Sequence, residues 1–382
     1  MPGAHRAHPL GPSIGPNGWA RVNAAAVATV GVMEATYDVL ETIERQAASC
    51  DHIGSPLYGT ILRGLAADFI AGGVTRELLA GVSERPQHDA IPLRYLATGH
   101  RLALSGEAPE LAQHFASCGG LWSGGDPTDD FLEVVTRRRA DFAAGLTRQV
   151  QTNEVGRAVV LACGLGHIAL THGLPLRTLE VGASAGLLSR LPWFRVDTGL
   201  SICGPDDSLL AFGPEWIETP PTSMPALIDV VEQAASDAFP IDTKTPDGAL
   251  AIQSFVWPDQ TERMARLRAA LVVAGQHPLE VERADAGEWL ERRLAAPLPP
   301  GVTTVVFHSI VWQYLPPETR QAVRACLLTA GETATPSSPL CWLRMEPATA
   351  THADLRLTSW PGSEEILLAE VGYHGHRVHW RR

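Results

Sequence analysis

The chain has 382 residues, 45% hydrophobic and 19% charged, so it can bury a large core and is not disordered over most of its length. Its formal charge of −12 at pH 7 would repel a phosphate backbone, which argues against nucleic acid as a partner. Lys244 is the only lysine, which excludes a phosphate-binding GK[ST] loop and any other lysine as a Schiff-base nucleophile.

The N-terminal residues and the cysteines favour a cytoplasmic protein. Residues 1–18 are rich in proline and glycine, and residues 19–33 form a weakly apolar run that leads into a helical pattern. We expect residues 1–33 to be a disordered or dispensable extension, with Met33 as an alternative start. No stretch approaches the roughly 20 apolar residues of a membrane span, so no membrane partner is expected. The six cysteines form no CxxC pair, which predicts buried thiols.

Residues 34–175 are predicted to form a helical cap domain. Apolar residues recur there at spacings of three and four, and clusters of glycine and proline separate the segments. Asp126 and Pro127, followed by two acidic residues, indicate a helix start. The helical segments are Tyr37–Ile43, Leu57–Phe69, Leu93–Leu104 and Phe131–Val150.

Residues 176–382 are predicted to form an α/β domain, because strand patterns alternate with helix patterns as in a parallel sheet. A first strand ends at Gly182, and residues 190–248 look like an insertion with short strands near 193–197 and 226–232. The later strands are Ala249–Trp257, Leu279–Arg283, Thr303–Trp312 and Leu340–Met345, and the helices are Thr261–Ala274, Glu288–Ala295 and Pro317–Ala330. Residues 354–380 are predicted to be antiparallel strands that close one sheet edge.

The segment from Glu180 to Gly186 is the most informative motif, and three chemistries compete for it. The dinucleotide pattern GxGxxG is disfavoured, since Ser184 and Leu187 stand where glycines are needed. GxSxG fits the nucleophile elbow of α/β-hydrolases, but the helical upstream chain does not supply the earlier strands. E-x-G-x-x-x-G after a first strand resembles motif I of class I S-adenosylmethionine-dependent methyltransferases. A tight turn without a ligand is the fourth possibility.

The methyltransferase resemblance implies a set of cofactor contacts. Gly182 and Gly186 would let the backbone approach the methionine portion, and Glu180 and Ser184 would complete that site. Asp285, after the third strand, would bond the adenine amino group, cap the next helix, or do both.

The resemblance also implies a ribose-binding acid and a group beside the transferred methyl. Asp259 is the first choice for ribose, and Asp237 or Asp242 takes its place if the second strand lies near 228–232. His308, after the apolar run Val305–Phe307, is a candidate general base or a buried histidine of the sheet.

A dense polar segment, Gln151-Thr-Asn-Glu-Val-Gly-Arg157, precedes an apolar helix. Asn153, Glu154 and Arg157 are candidates for substrate binding, with Arg157 suited to a carboxylate, and Tyr314 is a fourth candidate. A network that starts the helix is the alternative. The C-terminal histidines at 374, 376 and 379 are not expected to bind a metal, because their spacing on a strand does not converge.

Several phrases together resemble one bacterial family of unknown function, of the DUF2332 type, with a methyltransferase-like Rossmann core. The phrases are QTNEVGR from Gln151, LEVGASAGL from Leu179, VWPDQ from Val256 with Glu262-Arg263, FHSIVWQYL from Phe307, RMEP from Arg344, LTSWPG from Leu357 and His374-Gly375. They span about residues 40–380. Leu188 departs from the asparagine that the family pattern places there.

These observations predict a class I methyltransferase-like doubly wound sheet with antiparallel C-terminal strands, preceded by a helical domain. The expected function is S-adenosylmethionine-dependent methylation of a small molecule, with the helical domain over the substrate. The alternatives are a serine hydrolase that uses Ser184 and a non-catalytic ligand-binding protein.

Overall fold

The computed structural model describes residues 38–349 and 351–382, so the predicted extension 1–33 lies outside the described residues. Contacts divide the chain into two compact units. The first contains the described residues up to Leu96 and Gly124–Arg148, and the second contains Ala97–Ser123 and Gln149–Arg382. The predicted boundary near residue 175 differs from this division, which places residues 149–175 in the same unit as the sheet.

The first unit is helical, in agreement with its apolar periodicity. Over the described residues of both units, the α-helices are α1 (38–53), α2 (Pro56–Ala71), α3 (Val74–Leu79), α4 (Ile91–Leu104), α5 (Pro109–Ala112), α6 (Thr128–Arg137), α7 (Arg139–Leu146), α8 (Ala158–His172), α9 (Pro246–Ser254), α10 (Thr261–Gln276), α11 (Ala286–Leu294) and α12 (Pro317–Glu332). The Asp126 carboxylate accepts the Thr128 N–H at 3.0 Å, which confirms the predicted start of α6. Tyr95, Phe131 and Phe142 pack together in the core of this unit.

The second unit contains a nine-stranded, mostly parallel sheet, which confirms the mixed α/β class. Its strands are β1 (Leu176–Val181), β5 (Ile217–Thr219), β6 (Val230–Asp237), β7 (Val281–Arg283), β8 (Thr303–Ser309), β9 (Leu340–Pro347), β10 (Ala353–Trp360), β11 (Glu364–Val371) and β12 (Val378–Trp380). A separate small sheet has β2 (Arg195–Asp197), β3 (Ile202–Cys203) and β4 (Ala211–Phe212).

The strand order of the large sheet is β5-β12-β11-β10-β9-β8-β1-β6-β7. Five neighbouring strands of this sheet are parallel, in the spatial order β7-β6-β1-β8-β9. If these five strands are numbered 1 to 5 in chain order, their spatial order is 3-2-1-4-5, which is a doubly wound order. Strands β10, β11 and β12 continue from β9 as antiparallel pairs, as predicted for the tail, and β12 then pairs in parallel with β5 at the sheet edge. β8 is buried along its whole length, as expected for a central strand of such a sheet.

Helix α8 forms part of the core beside the sheet. It packs on β9 and β10, and a Cβ added at Gly164 would lie 2.9 Å from the Leu343 side chain, so glycine permits the close approach. With the turn before it, α8 is the single candidate membrane span in the described part of the chain, at Val155–His172. Because 67% of that window is buried inside the protein, its apolar composition is explained by the core.

Two predictions for the α/β region are wrong. Ala249–Trp257 is not a strand but belongs to α9 and the turn after it, because a short apolar run does not distinguish a strand from a buried helix. Thr245, whose hydroxyl accepts the Gly248 N–H at 3.0 Å, and Pro246 mark the helix start. Residues 190–248 are also more than an insertion, since β6 within them pairs directly with β1.

All six cysteines are free thiols, and the prediction that they are buried is confirmed for four of them, whereas Cys118 and Cys326 are partly exposed. Four of them are buried: Cys50, Cys163, Cys203 and Cys341. Burial raises the pKa of Cys203 and of Cys341 to about 11, so neither thiol forms a reactive thiolate near neutral pH.

Candidate functional site

The candidate site lies at the carboxyl ends of β1, β6 and β8. The strand order reverses between β1 and β8, since β6 and β7 continue the sheet on one side and β9 on the other. At such a reversal the loops leave in opposite directions and open a crevice, where doubly wound sheets bind their ligands. The motif from Glu180 to Gly186 leaves β1 at this point.

The loop after β1 has a left-handed backbone at three alternate residues. Gly182 and Gly186 have φ of 68°, and Ser184 has φ of 55°. A Cβ at Gly182 would lie 2.5 Å from Cγ1 of Val311, in the loop after β8, so glycine is required there by both conformation and space. The loop continues as a turn into a 3-10 helix at Leu188–Trp193.

Asp237 fixes this loop from the end of the neighbouring strand. Its Oδ2 accepts the Ser184 N–H at 2.8 Å, and its Oδ1 accepts the Phe239 N–H at 2.8 Å. The Ser184 carbonyl in turn accepts the Ile241 N–H at 3.2 Å. These bonds hold Ser184 in a conformation that costs a non-glycine residue roughly 1 kcal/mol.

The acid at the end of the second strand is therefore Asp237. The prediction of Asp259 depended on a strand at Ala249–Trp257, and Asp259 instead lies between helices α9 and α10. Asp242 lies in the turn before α9, where its Oδ1 accepts the Lys244 N–H at 3.0 Å. The correction follows from the pairing of β6 with β1, which periodicity could not reveal.

The polar segment before α8 reaches the same loop. The Asn153 amide donates to the Ala183 carbonyl at 3.3 Å, and its oxygen accepts the Leu187 N–H at 3.1 Å. Gln151 donates to the Phe239 carbonyl at 2.7 Å. Asn153 thus bridges the two ends of the turn around Ser184, which is a positioning role.

Glu154 belongs to a buried charge cluster. Its Oε2 lies 2.5 Å from the Arg263 guanidinium and 3.0 Å from Nδ1 of His374, and its Oε1 accepts the Gly156 N–H at 3.2 Å. Burial alone would raise the pKa of Glu154, but Arg263, His374 and Arg157 hold it well below its usual range. The cluster joins three segments that are far apart in the chain, and each of them carries one of the family phrases: the phrase from Gln151, the phrase from Val256 with Arg263, and His374-Gly375.

Arg157 connects the C-terminal turn to the end of β8. Its guanidinium donates to the Tyr373 carbonyl at 3.1 Å and to the Ser309 carbonyl at 3.1 Å. Burial lowers the pKa of Arg157, and the charges of Glu154 and Glu346 oppose that shift. Tyr314, another predicted substrate residue, is 62% exposed.

Glu180 is buried, with 3% of its surface exposed, and its Oε2 accepts the hydroxyl of Ser189. Burial raises the pKa of Glu180 to about 7. This carboxyl group has a polar partner inside the protein, and it is half protonated near neutral pH. Whether it also contacts a ligand stays a prediction.

Glu180→Gln is expected to stabilise the protein in a pH-dependent manner. The folded pKa lies above the unfolded value of 4.5, so ionisation at higher pH opposes folding. The variant should match the wild type near pH 5 and exceed its free energy of unfolding by about 3 kcal/mol near pH 8. Urea titrations at the two pH values measure this, with the exposed Glu215→Gln as control. Parallel pH curves for Glu180→Gln and wild type would contradict the assignment.

His308 is fully enclosed, with 1% exposure and a partner on each ring nitrogen. Nδ1 lies 2.6 Å from Glu346 Oε1, and the indole N–H of Trp342 donates to Nε2 at 3.1 Å. An indole nitrogen can only donate, so Nε2 carries no proton and Nδ1–H donates to Glu346. His308 thereby fits the buried-histidine interpretation, and its role as a general base stays a prediction without a geometric basis here.

The tautomer of His308 is directly measurable. Nitrogen-15 chemical shifts should show a protonated Nδ1 and an unprotonated Nε2 at neutral pH. In Trp342→Phe, which removes the donor to Nε2, the equilibrium should move toward protonation of that nitrogen. A protonated Nε2 in the wild type would overturn the arrangement.

Asp285 caps α11, which was one of its two predicted roles. Its Oδ1 accepts the Gly287 N–H at 2.8 Å and the Glu288 N–H at 3.3 Å, and its Oδ2 accepts the Thr319 hydroxyl at 2.5 Å. A contact with adenine stays a prediction.

Several buried polar atoms at this sheet edge lack a partner. Among the described residues, no hydrogen bond reaches Ser184 Oγ, Ser236 Oγ, Gln151 Oε1 or Glu346 Oε2. Ser184 is 8% exposed. Buried polar atoms are rarely unsatisfied, so these atoms at the crevice are candidates for contact with a bound water or ligand. Glu346 was not among the predicted site residues. Its position, as a charged residue near the end of the apolar strand β9, was the sequence signal that could have identified it.

A serine hydrolase would need a histidine on Ser184, and among the described residues no hydrogen bond reaches Ser184 Oγ. The three C-terminal histidines have other partners: His374 binds Glu154, His376 stacks on Trp216 with ring centroids 3.7 Å apart, and His379 lies 2.8 Å from Glu218. In the described part of the chain, no group of three or more His, Cys, Asp or Glu side chains is arranged to hold a metal ion.

Comparison with known proteins gives one match. Residues 40–380 match a family model described as an uncharacterized protein conserved in bacteria. No match to a curated protein or to a solved structure was found.

Proposed function

We propose that this chain, which belongs to the DUF2332 family of uncharacterised bacterial proteins, binds S-adenosylmethionine at the carboxyl ends of β1 and β6 and methylates a small molecule. The observation that carries the proposal is the loop after β1. It combines Gly182 and Gly186 in a left-handed backbone, a buried hydroxyl without a partner at Ser184, and an acid, Asp237, at the end of the adjacent parallel strand.

The residues at this edge fit such a cofactor in chemical type. Ser184 Oγ is the group available to the methionine portion, since its backbone is already held by Asp237 and Ile241. Each Asp237 oxygen accepts one backbone N–H and keeps a lone pair for a ribose hydroxyl. Phe239, which is 54% exposed and two residues beyond Asp237, offers an aromatic face to adenine.

When bound, S-adenosylmethionine supplies an electrophilic methyl group, so the protein needs mainly to position the acceptor in line with it. Arg157, anchored to Ser309 at the end of β8, and the exposed Tyr314 are the groups placed to orient an acceptor. Nδ1 of His308 fixes the Glu346 carboxylate, which also accepts the Val311 and Trp312 N–H groups and shapes the loop after β8.

Calorimetry with S-adenosylhomocysteine tests the proposal. The wild type should bind it, and Ser184→Ala should weaken binding by about tenfold, since a charge-assisted hydrogen bond contributes roughly 1.5–3 kcal/mol. Ser208→Ala, which removes a hydroxyl from the small β2–β4 region, is the control. Absence of binding by the folded wild type would refute the proposal.

The two alternatives give different outcomes in the same preparation. A hydrolase would be labelled at Ser184 by a fluorophosphonate probe. A non-catalytic ligand-binding protein would bind S-adenosylhomocysteine and show no methyl transfer across a broad acceptor screen. We expect neither result.

A further inference from the structure

A second feature lies on helix α12, beyond the candidate cofactor residues. Arg320 and Arg324 are one helical turn apart, and the Arg324 guanidinium lies over the ring of Trp312. Together with Pro317 and Gln321 these side chains line a cleft of about 290 Å³. This volume is near the lower limit of small-molecule sites and suits a ligand with one ring.

The two arginines have no carboxylate partner within the described residues. Other arginines on nearby elements are paired, since Arg293 binds Glu282 and Arg344 binds Glu365. Two like charges one turn apart destabilise a helix by a few tenths of a kcal/mol. In a protein of net charge −12, an uncompensated cationic pair around a cleft indicates selection of an anion.

Trp312 gives the cleft a rigid aromatic wall. The Arg324 guanidinium carbon lies 5.1 Å from its ring centroid, and the His308 ring is nearly parallel to it at 5.5 Å and 15°. The backbone N–H of Trp312 donates to Glu346 at 3.2 Å, which anchors the backbone that carries this ring to the strand ends of the candidate site. A planar ring can therefore stack or pack against a fixed indole while its anionic group meets the guanidinium groups.

We propose that this cleft binds a small planar molecule with one ring and a carboxylate or phosphate group. Identification of this molecule as the methyl acceptor rests on the proposed function, because only then does the adjoining strand edge hold a methyl donor. The binding itself does not depend on S-adenosylmethionine.

The test uses benzoate and phenyl phosphate as anionic probes and benzyl alcohol as a neutral probe, each titrated calorimetrically into the full-length protein. We expect both anions to bind at least tenfold more tightly than the alcohol, and added salt to weaken them. Arg320→Gln and Arg324→Gln should each reduce benzoate affinity about tenfold, the equivalent of about 1.4 kcal/mol. Arg377→Gln is the control and should leave benzoate affinity unchanged, because the Arg377 side chain is 83% exposed and its carboxylate partner, Glu218, is 4.0 Å away.

The outcomes separate this proposal from the preceding one. Saturable benzoate binding with the expected response to both arginine variants supports the cleft even if S-adenosylhomocysteine does not bind. Equal affinity for benzoate and benzyl alcohol, no response to either variant, or no binding of either anion up to about 10 mM would overturn it. Thermal unfolding of each arginine variant checks that the substitution leaves the fold intact.

Discussion

Glu154→Gln is expected to reduce the free energy of unfolding by about 3–5 kcal/mol, because it leaves Arg263, whose side chain is only 13% exposed, without its counter-ion. Arg157, whose positive charge also acts on Glu154, loses compensation at the same time. A glutamine oxygen can still accept the Gly156 N–H, so the loss measures charge compensation more than hydrogen bonding. Urea unfolding at pH 7 measures the difference.

The effect of Glu154 should also depend on pH with a definite sign. Its folded pKa is lowered, so its contribution is present above the unfolded pKa of 4.5 and is lost as pH falls through the folded pKa. The difference between wild type and variant should therefore shrink on acidification. Asp206→Asn is the matched control, since its carboxylate pairs with Arg195 but is 98% exposed, and it should cost at most about 1 kcal/mol. A similar cost for both variants at pH 7 would contradict the buried cluster.

Gly182→Ala is expected to destabilise the protein by about 2–4 kcal/mol and to raise the dissociation constant for S-adenosylhomocysteine by about tenfold or more. The left-handed φ of 68° costs alanine roughly 1 kcal/mol, and the new methyl group would meet Val311 at 2.5 Å. Since Val311 lies in the loop after β8, the clash displaces both sides of the strand-order reversal. Urea unfolding and calorimetry measure the two effects.

Gly173→Ala is a matched control for this variant. Gly173 has φ of 64°, and a Cβ there would have no atom within 4 Å, so it carries the conformational cost without the clash. It should cost roughly 1 kcal/mol and leave ligand affinity unchanged. If Gly182→Ala retains wild-type affinity while folded, the loop after β1 does not hold the methionine portion.

The local sequence pattern was sufficient to predict most helices and strands of the second unit. Helix periodicity located α10, α11 and α12, and runs of buried apolar residues located β1, β8 and β9. The motif from Glu180 to Gly186 was correctly placed after a first strand, because glycines that end an apolar run mark a tight turn. These features depend on neighbours in the chain, so the amino-acid order alone determines them.

The tertiary structure decided which residues share the site. Pairing of β6 with β1 brings Asp237, not Asp259, to Ser184, and the meeting of Glu154, Arg263 and His374 joins segments more than 100 residues apart. Which ring nitrogen of His308 carries the proton likewise depends on Trp342 and Glu346, both in the neighbouring strand β9. Composition determined that the chain is acidic, and the alternation of strand and helix patterns determined its α/β class. Strand order and long-range contacts selected the side chains of the site, since such contacts leave no periodic signal in a single sequence.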